Sequence, residues 1–408
     1  MTSTFKSAML AAAQLTAAGD LNAATAAIQR ALMDNASVSS APVPTGTAPA
    51  SGFPGAATRW GRGVPGQRPP GDVVDIEAKW VPDATDATDA TDETAPKDVG
   101  QAAQADIAPG KGARVDVDQG TSIAGAFGVA AQRREYLLYL PRAAAATAAG
   151  LPLVVMLHGC TQTPADFAAG TAMNALADRH GFLVLYPAQS RAANQSSCWN
   201  WFNPNDQRAD SGEPAIIAGM VRDIVGRYEL DRSRIYVAGL SAGGAMAAIL
   251  GNAYPDLFAA VAVHSGLPSG AAHDLPSALA AMKRGAATLR PSGPGPGAAA
   301  ATKAVPTIVF HGRQDRTVHP ANATQIVDAA LSAWPEGALA VRHESGRAPG
   351  GRSYTRTIHQ NTAGVPMVEQ WEVQGAGHAW SGGDVKGSYT DPQGPDASSA
   401  MMDFFLAR

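Results

Sequence analysis

The segment 236–250, YVAGLSAGGAMAAIL, passes from an apolar, strand-like run through a serine flanked by glycines into an alanine-rich, helix-like run. Residues 239–243 match Gly-x-Ser-x-Gly, a pattern that between a strand and a helix places a serine on a sharp, strained turn. Such a turn needs small neighbours, and the sequence supplies Gly239, Ala242, Gly243 and Gly244. The segment predicts that Ser241 is a nucleophile. The alternative is that Ser241 is only the small residue a tight turn requires.

Strand-like and helix-like segments alternate along the rest of residues 112–408. The strand-like segments are 134–141, 151–159, 181–187, 234–240, 258–266, 305–312 and 368–378, and the helical patterns are 164–180, 212–229, 242–253 and 321–333. Near-continuous apolar strands that alternate with helices predict an α/β fold with a mostly parallel central sheet and helices on both faces. Catalytic residues of such folds lie at the carboxyl ends of the strands.

The chain before this region differs in composition. Residues 1–35 show apolar side chains at helical spacing, interrupted near residue 19, which predicts a helical hairpin. Its apolar stripe must pack against the main domain, another chain or a hydrophobic particle surface. Residues 36–111 are rich in Ala, Pro, Thr, Gly and Asp without core-forming periodicity, which predicts a disordered linker. Residues 283–304 interrupt the later pattern with Gly and Pro and predict an exposed insertion.

Composition narrows the function classes. The hydrophobic content of 45% is ordinary for a globular protein with a substantial core. A formal net charge of -4 and an isoelectric point near 6.1 argue against a nucleic-acid partner. The two cysteines, Cys160 and Cys198, lie in no metal-binding pattern and form either one disulfide or two free thiols.

Targeting signals are weak in this sequence. No apolar stretch approaches the roughly 18 residues that span a bilayer, so no transmembrane segment is expected. The early run AMLAAA is too weak for the apolar core of a signal peptide. We therefore expect a cytoplasmic protein.

A serine nucleophile needs a base and an acid that orients the base, and with this motif the usual chain order is serine, acid, histidine. Asp315 stands just beyond the strand-like VPTIVFHG, and His378 lies in the glycine-rich loop of VQGAGHAWSGG. The sequence thus predicts a triad of Ser241, Asp315 and His378. Two other residues are weaker candidates for the base and the acid. His311 ends a strand and suits a hydrogen bond in the core or in a loop, and Asp384 lies in a loop that no strand positions.

Acyl transfer also needs donors for the developing oxyanion. The backbone N–H of Ala242, at the start of the helix after the nucleophile, is the first expected donor. The second is the backbone N–H of Cys160, in the loop MLHGCTQ after an earlier strand. Aromatic and polar side chains near these positions are candidate substrate-binding residues: Trp199, Trp380 and His264.

Several motifs together resemble one family of esterases. They are LHGCTQ, MNALADRHGFLVLYPAQ, CWNWF, GLSAGGAMA, VFHGRQDRTVHP and GAGHAWSGG followed by GSYTDPQGPDAS. Over about residues 112–408 the chain is similar to short-chain polyhydroxyalkanoate depolymerases, which are related to feruloyl and acetylxylan esterases. The resemblance implies the α/β-hydrolase fold, the triad and oxyanion donors named above, a Cys160–Cys198 disulfide, and no metal or organic cofactor.

The resemblance also suggests substrates and location. It implies hydrolysis of short-chain 3-hydroxyalkanoate polyesters or their oligomers through an acyl-enzyme, with a polyhydroxyalkanoate granule surface as a candidate partner. The alternative is a feruloyl, acetylxylan or general short-chain carboxylesterase. The chain looks more like intracellular family members with an N-terminal helical segment than like secreted ones. The alternative location is outside the cell, by a route without an evident signal peptide.

Overall fold

The structure is a computed structural model that describes residues 120–128, 133–145, 148–287 and 303–408. The helical hairpin predicted for residues 1–35, the linker predicted for 36–111 and most of the predicted insertion at 283–304 lie outside the described residues. Those predictions therefore stay predictions.

A ten-stranded sheet organises the described residues, with the strand order β1-β2-β4-β3-β5-β6-β7-β10-β9-β8. Its strands are β1 Thr121–Phe127, β2 Arg134–Leu140, β3 Leu153–Leu157, β4 Leu183–Pro187, β5 Ile235–Leu240, β6 Ala260–His264, β7 Thr307–Gly312, β8 Ala340–Arg347, β9 Ser353–Gln360 and β10 Pro366–Val373. The six central strands, β4-β3-β5-β6-β7-β10, are parallel to one another. Antiparallel strands lie at both edges of the sheet. Two short strands, β11 Trp380–Ser381 and β12 Thr390–Asp391, pair separately.

Seven α-helices are described: α1 Pro164–Thr171, α2 Met173–His180, α3 Gly212–Arg227, α4 Ala242–Ala253, α5 Leu275–Arg284, α6 Ala321–Leu331 and α7 Ala397–Leu406. The seven predicted strands and the helical patterns are confirmed, with one difference. The single helix expected over 164–180 is broken at Ala172, whose backbone is left-handed with φ 52°. Within the described part of the chain, no helix is both long and apolar enough to cross a membrane.

The sheet carries a hydrophobic core on each face. On β3, Val155 and Leu157 belong to one core and Val154 and Met156 to the other, as the two-residue repeat of a strand requires. Buried residues of α3, α4, α5 and α6 complete the first core, and those of α1, α2 and α7 complete the second. The predicted α/β architecture, with helices on both faces of a mostly parallel sheet, is confirmed.

A buried ion pair fixes β10 against its antiparallel neighbour. Glu369 is fully buried on β10 and accepts two hydrogen bonds from the guanidinium of Arg356 on β9, at 2.6 and 2.9 Å. Arg356 also lies over the ring of Trp371, 4.9 Å from its centroid. Because a bidentate pair of this kind has a strict geometry, it fixes the position of the strand that leads to His378.

Candidate active site

Ser241 lies on a strained turn between β5 and α4. Its backbone angles are φ 57° and ψ -119°, in a region that L residues rarely adopt. Close approach of the backbone explains the glycines around it: a Cβ on Gly239 would lie 2.3 Å from the carbonyl carbon of Gly243, and a Cβ on Gly243 would lie 2.1 Å from the carbonyl oxygen of Leu157. The turn therefore needs glycine at both positions.

Asp315 and His378 meet at the same edge of the sheet. Asp315 follows β7, His378 follows β10, and these neighbouring parallel strands end side by side. Nδ1 of His378 donates to Oδ2 of Asp315 at 2.7 Å. Ser241 follows β5, which is separated from β7 only by β6, so all three residues project from one edge. The structure records no hydrogen bond between Ser241 and His378 among the described residues, a contact that often tightens only with substrate.

The carboxylate of Asp315 is buried and fully engaged. Oδ1 accepts the backbone N–H groups of Thr317 and Val318, at 2.9 and 2.8 Å. Oδ2 also lies 3.4 Å from Nε2 of His311. Burial alone would raise the pKa of Asp315, but the hydrogen bonds from His311 and His378 outweigh it and hold that pKa well below its ordinary value. Asp315 is therefore an anion that fixes the ring of His378.

The loop after β3 lies beside the nucleophile. A Cβ on Gly159 would lie 3.6 Å from the Cβ of Ser241. The N–H of Gly159 already donates to Oε1 of Gln162 at 2.9 Å. In contrast, the N–H groups of Cys160 and Ala242 donate to no residue that the structure describes. This leaves those two amides available to a ligand oxygen.

A disulfide and a buried histidine hold this loop in place. Cys160 is bonded to Cys198, as the resemblance implies. His158, directly before the loop, donates from Nδ1 to Gly159 O at 2.8 Å and accepts at Nε2 from the N–H of Gln189 at 3.1 Å. Burial lowers the pKa of His158, which keeps the ring neutral and able to accept that bond.

The three predicted substrate-binding residues are buried in the structure, and their contact with substrate stays a prediction. Trp199, Trp380 and His264 are each only 1% exposed. Trp199 donates to His158 O at 3.1 Å, and Trp380 donates to Ser398 Oγ at 3.0 Å and stacks on His264. Since their polar atoms are bonded within the protein, these side chains support the site from behind.

His264 connects two parts of the candidate site. It accepts at Nε2 from the N–H of Ser381, at 2.9 Å, in the segment that follows His378. Its backbone oxygen accepts the N–H of Ser241, also at 2.9 Å. Burial, followed by the nearby His311 and His378, lowers the pKa of His264 to about 3. The neutral ring therefore links the nucleophile turn to the loop that carries His378.

Two polar clusters were not predicted from the sequence. Gln162 joins the loop after β3 to Asp166 on α1 and to Ser388 near the C-terminus, through Nε2 at 2.9 to 3.2 Å. Glu213 accepts from the N–H and side chain of Asn200, at 2.7 and 2.8 Å, and from the side chain of Gln189. The motif LHGCTQ contains Gln162, so the sequence marked this residue. No sequence feature marked Glu213.

No metal site accompanies this arrangement in the part of the chain that is described. Within residues 120–128, 133–145, 148–287 and 303–408, no three His, Cys, Asp or Glu side chains are grouped so as to hold a metal ion.

Comparison with solved structures defines the fold class. The structure is similar to that of acetyl xylan esterase from Aspergillus awamori, with a TM-score of 0.54 and 20% sequence identity, over 70% of this chain and 100% of that one. Together with the parallel sheet and the strand–turn–helix at Ser241, this similarity shows that the chain has the α/β-hydrolase fold.

Sequence comparison then gives the family. Residues 134–336 match the model of the family described as esterase PHB depolymerase. Poly(3-hydroxyalkanoate) depolymerase C of Paucimonas lemoignei is 35% identical over 240 residues, which are 56% of this chain and 55% of that protein. Poly(3-hydroxybutyrate) depolymerase of Ralstonia pickettii is 29% identical over 269 residues, 62% of this chain and 53% of that protein. Feruloyl esterase B of Neurospora crassa is 35% identical over 116 residues, 28% of this chain and 39% of that protein. The chain thus spans about half the length of the two depolymerases.

Glu213 makes stability depend on pH in a defined direction. Burial and then the nearby Asp206 raise the pKa of Glu213 from 4.5 to about 7. The folded state therefore holds this proton more tightly than the unfolded state, so the stability from protonated Glu213 is complete below pH 4.5 and is lost as the pH rises through about 7. Glu213→Gln cannot ionise and removes this dependence.

Urea unfolding of both proteins at several pH values between 4 and 9 measures this effect. The unfolding free energy of the wild type, minus that of Glu213→Gln, is expected to fall between about pH 4.5 and pH 7 and then to level off. A difference that stays constant, or rises, across that range would contradict the raised pKa.

Proposed function

We propose that the protein is a serine hydrolase of carboxylic esters, with Ser241 as nucleophile, His378 as general base and Asp315 as the acid that orients His378. The observation that carries the proposal is the 2.7 Å hydrogen bond between Asp315 and His378, at the sheet edge from which Ser241 projects. The esterase family of residues 134–336 and relatives named as ester hydrolases support it.

The proposed reaction follows from the orientation of the His378 ring. With Nδ1 donating to Asp315, Nε2 is the nitrogen that takes and returns a proton. As Ser241 Oγ attacks the ester carbonyl carbon, Nε2 takes the hydroxyl proton and then gives it to the leaving alcohol. In the second half, Nε2 takes a proton from water as that water attacks the acyl-enzyme, and returns it to Ser241 when the acid leaves.

Cys160 and Ala242 are the proposed oxyanion donors. Their backbone N–H groups donate to no described residue, and Ala242 begins α4, where the helix dipole favours negative charge. Two such donors stabilise the charge that develops on the carbonyl oxygen of the substrate. The Cys160–Cys198 disulfide and the Gln162 contacts supply the rigidity that a preformed donor pair needs.

A 3-hydroxyalkanoate polyester or its oligomers is the proposed substrate, with its granule surface as partner. The two depolymerases match 56% and 62% of this chain, whereas Feruloyl esterase B of Neurospora crassa matches 28%. A feruloyl, acetylxylan or general short-chain carboxylesterase is the second candidate, favoured by the 35% identity of that feruloyl esterase within the shared segment.

Turnover of matched substrates separates these candidates. We expect the purified chain to release 3-hydroxybutyrate products from amorphous poly(3-hydroxybutyrate) granules faster than it hydrolyses methyl ferulate or acetylated xylan. Ser241→Ala protein is expected to co-sediment with the same granules without degrading them. If only the aryl and sugar esters react, the polyester proposal is wrong and the second candidate replaces it.

Substitution of the triad tests the catalytic assignment. Asp315→Asn is expected to lower kcat on p-nitrophenyl butyrate by about 10⁴-fold, because the asparagine amide can donate to Nδ1 of His378 and leaves the ring proton on Nε2, which then cannot take the serine proton. Ser241→Ala is expected to lower kcat by at least as much. Asp384→Asn is the matched control, because Asp384 lies on an exposed loop and pairs with Lys386. It is expected to stay within about twofold of wild type. If Asp384→Asn loses activity and Asp315→Asn keeps it, Asp315 is not the acid of the triad.

The disulfide bears on the location of the protein. Cytosolic disulfides rarely persist, so the Cys160–Cys198 bridge favours an oxidising compartment and supports the secreted alternative over the cytoplasmic location expected from sequence. Alkylation of protein quenched directly in acid from its source cells tests this. Both cysteines should resist alkylation until a reductant is added. Two free thiols in the cells would restore the cytoplasmic expectation.

A further inference from the structure

Tyr389 combines exposure with backbone strain. It is 48% exposed, one of the few large hydrophobic side chains of the described residues that reach solvent to this extent. Its backbone is left-handed, with φ 52°, which is costly for an aromatic residue. Strained residues persist where the surrounding structure holds them, and they cluster at functional sites. Neither the triad nor the oxyanion donors account for this residue.

Two loops of the candidate site meet at Tyr389. Its backbone oxygen accepts the N–H of Trp380 at 2.7 Å, two residues after His378. Its hydroxyl lies 3.3 Å from Oγ of Thr161, the residue after Cys160. Because Thr161 donates its own hydroxyl proton to Cys160 O, Tyr389 is the donor to Thr161. The side chain therefore stands at the rim of the site, between the loop of the base and the loop of the oxyanion donors.

The residue before Tyr389 is firmly held. The N–H of Ser388 donates to Oδ1 of Asp166 at 2.9 Å, and its hydroxyl donates to Oδ2 at 2.6 Å. The next residue, Thr390, pairs with Trp380. With its backbone and hydroxyl both fixed, the ring presents its exposed face in one orientation.

We propose that Tyr389 is a specificity-determining residue that contacts the alcohol portion of the ester substrate. This rests on the proposed esterase function. His378 must give its proton to the leaving alcohol, so the alcohol portion lies on the side of His378, where Tyr389 also stands. A fixed aromatic ring offers a large apolar contact at a low cost in conformational entropy. Nearly half of the surface of Tyr389 is open to solvent at this position, where a bound alcohol group could contact it.

Two butyrate esters that share an acyl group test this contact. Methyl butyrate and benzyl butyrate form the same acyl-enzyme, so a difference in their kcat/KM values reports only on the alcohol portion during acylation. The variant is Tyr389→Asn, because asparagine removes the ring and tolerates left-handed backbone. It is expected to lower kcat/KM for benzyl butyrate about tenfold and to leave that for methyl butyrate within about twofold.

Matched variants and a stability readout complete the experiment. Tyr389→Phe keeps the ring and should retain the preference for benzyl butyrate, and Val341→Ala, an exposed apolar residue on the distant edge strand β8, should change neither ester. The Tm of Tyr389→Asn is expected to equal or exceed that of wild type, because the strain is relieved.

Three results would overturn the proposal: equal losses on both esters, no loss on either, or unfolding of Tyr389→Asn, which would make the residue structural. Failure of the proposed function is distinguishable. In that case wild type would hydrolyse neither ester, or Ser241→Ala would be as active as wild type.

Discussion

The strained, positive-φ backbone of Ser241 positions much of the candidate site. The conformation is stabilised from two sides: the Ser241 N–H donates to His264 O on β6, and α4 packs against β3 so closely that Gly243 admits no side chain. The result is a serine that projects from the carboxyl edge of the sheet, followed directly by the start of a helix. Nucleophile and first oxyanion donor are thus products of one local geometry.

Buried neutral histidines extend this geometry to the loops on either side. His264 accepts the N–H of Ser381 in the segment after His378, and His158 accepts the N–H of Gln189 near the disulfide. Burial lowers the pKa of both rings, so neither gains a charge near neutral pH. The carboxylate of Asp315 differs because four donors surround it, and it is held as an anion. His158, His264 and Asp315 therefore position the site without changing charge, whereas His378 gains and loses a proton in the proposed reaction.

The central sheet and the order of the triad could be predicted because their signals are local. Buried parallel strands have continuous apolar sequences, and Gly-x-Ser-x-Gly between a strand and a helix predicts a sharp turn that exposes the serine. The edge strands β1 and β8, and β9 beside β8, were missed because their mostly exposed or half-buried residues form no continuous apolar run. The break at Ala172 was also missed, since alanine favours a helix and the nearby Gly170 lies inside α1 and not at the break.

Side-chain burial was the less predictable part of the site. Trp199 and Trp380 were expected to face substrate because an indole offers a large apolar face and a donor, and His264 because it ends a strand. Whether a side chain at a strand end points into a cleft or back into the core depends on tertiary partners, such as Ser398 for Trp380. Glu213 was missed for the same reason, since its partners Asn200 and Gln189 lie 13 and 24 residues before it in a segment with no regular pattern.

Covalent labelling tests whether Ser241 is an activated nucleophile. A fluorophosphonate ester reacts with a serine hydroxyl that is activated by a neighbouring base and faced by oxyanion donors. Mass spectrometry of the folded, labelled chain should find one adduct, located on Ser241 and absent after unfolding in urea before labelling. An adduct on another residue, or an unlabelled Ser241 in folded protein that hydrolyses esters, would show that Ser241 is not the nucleophile.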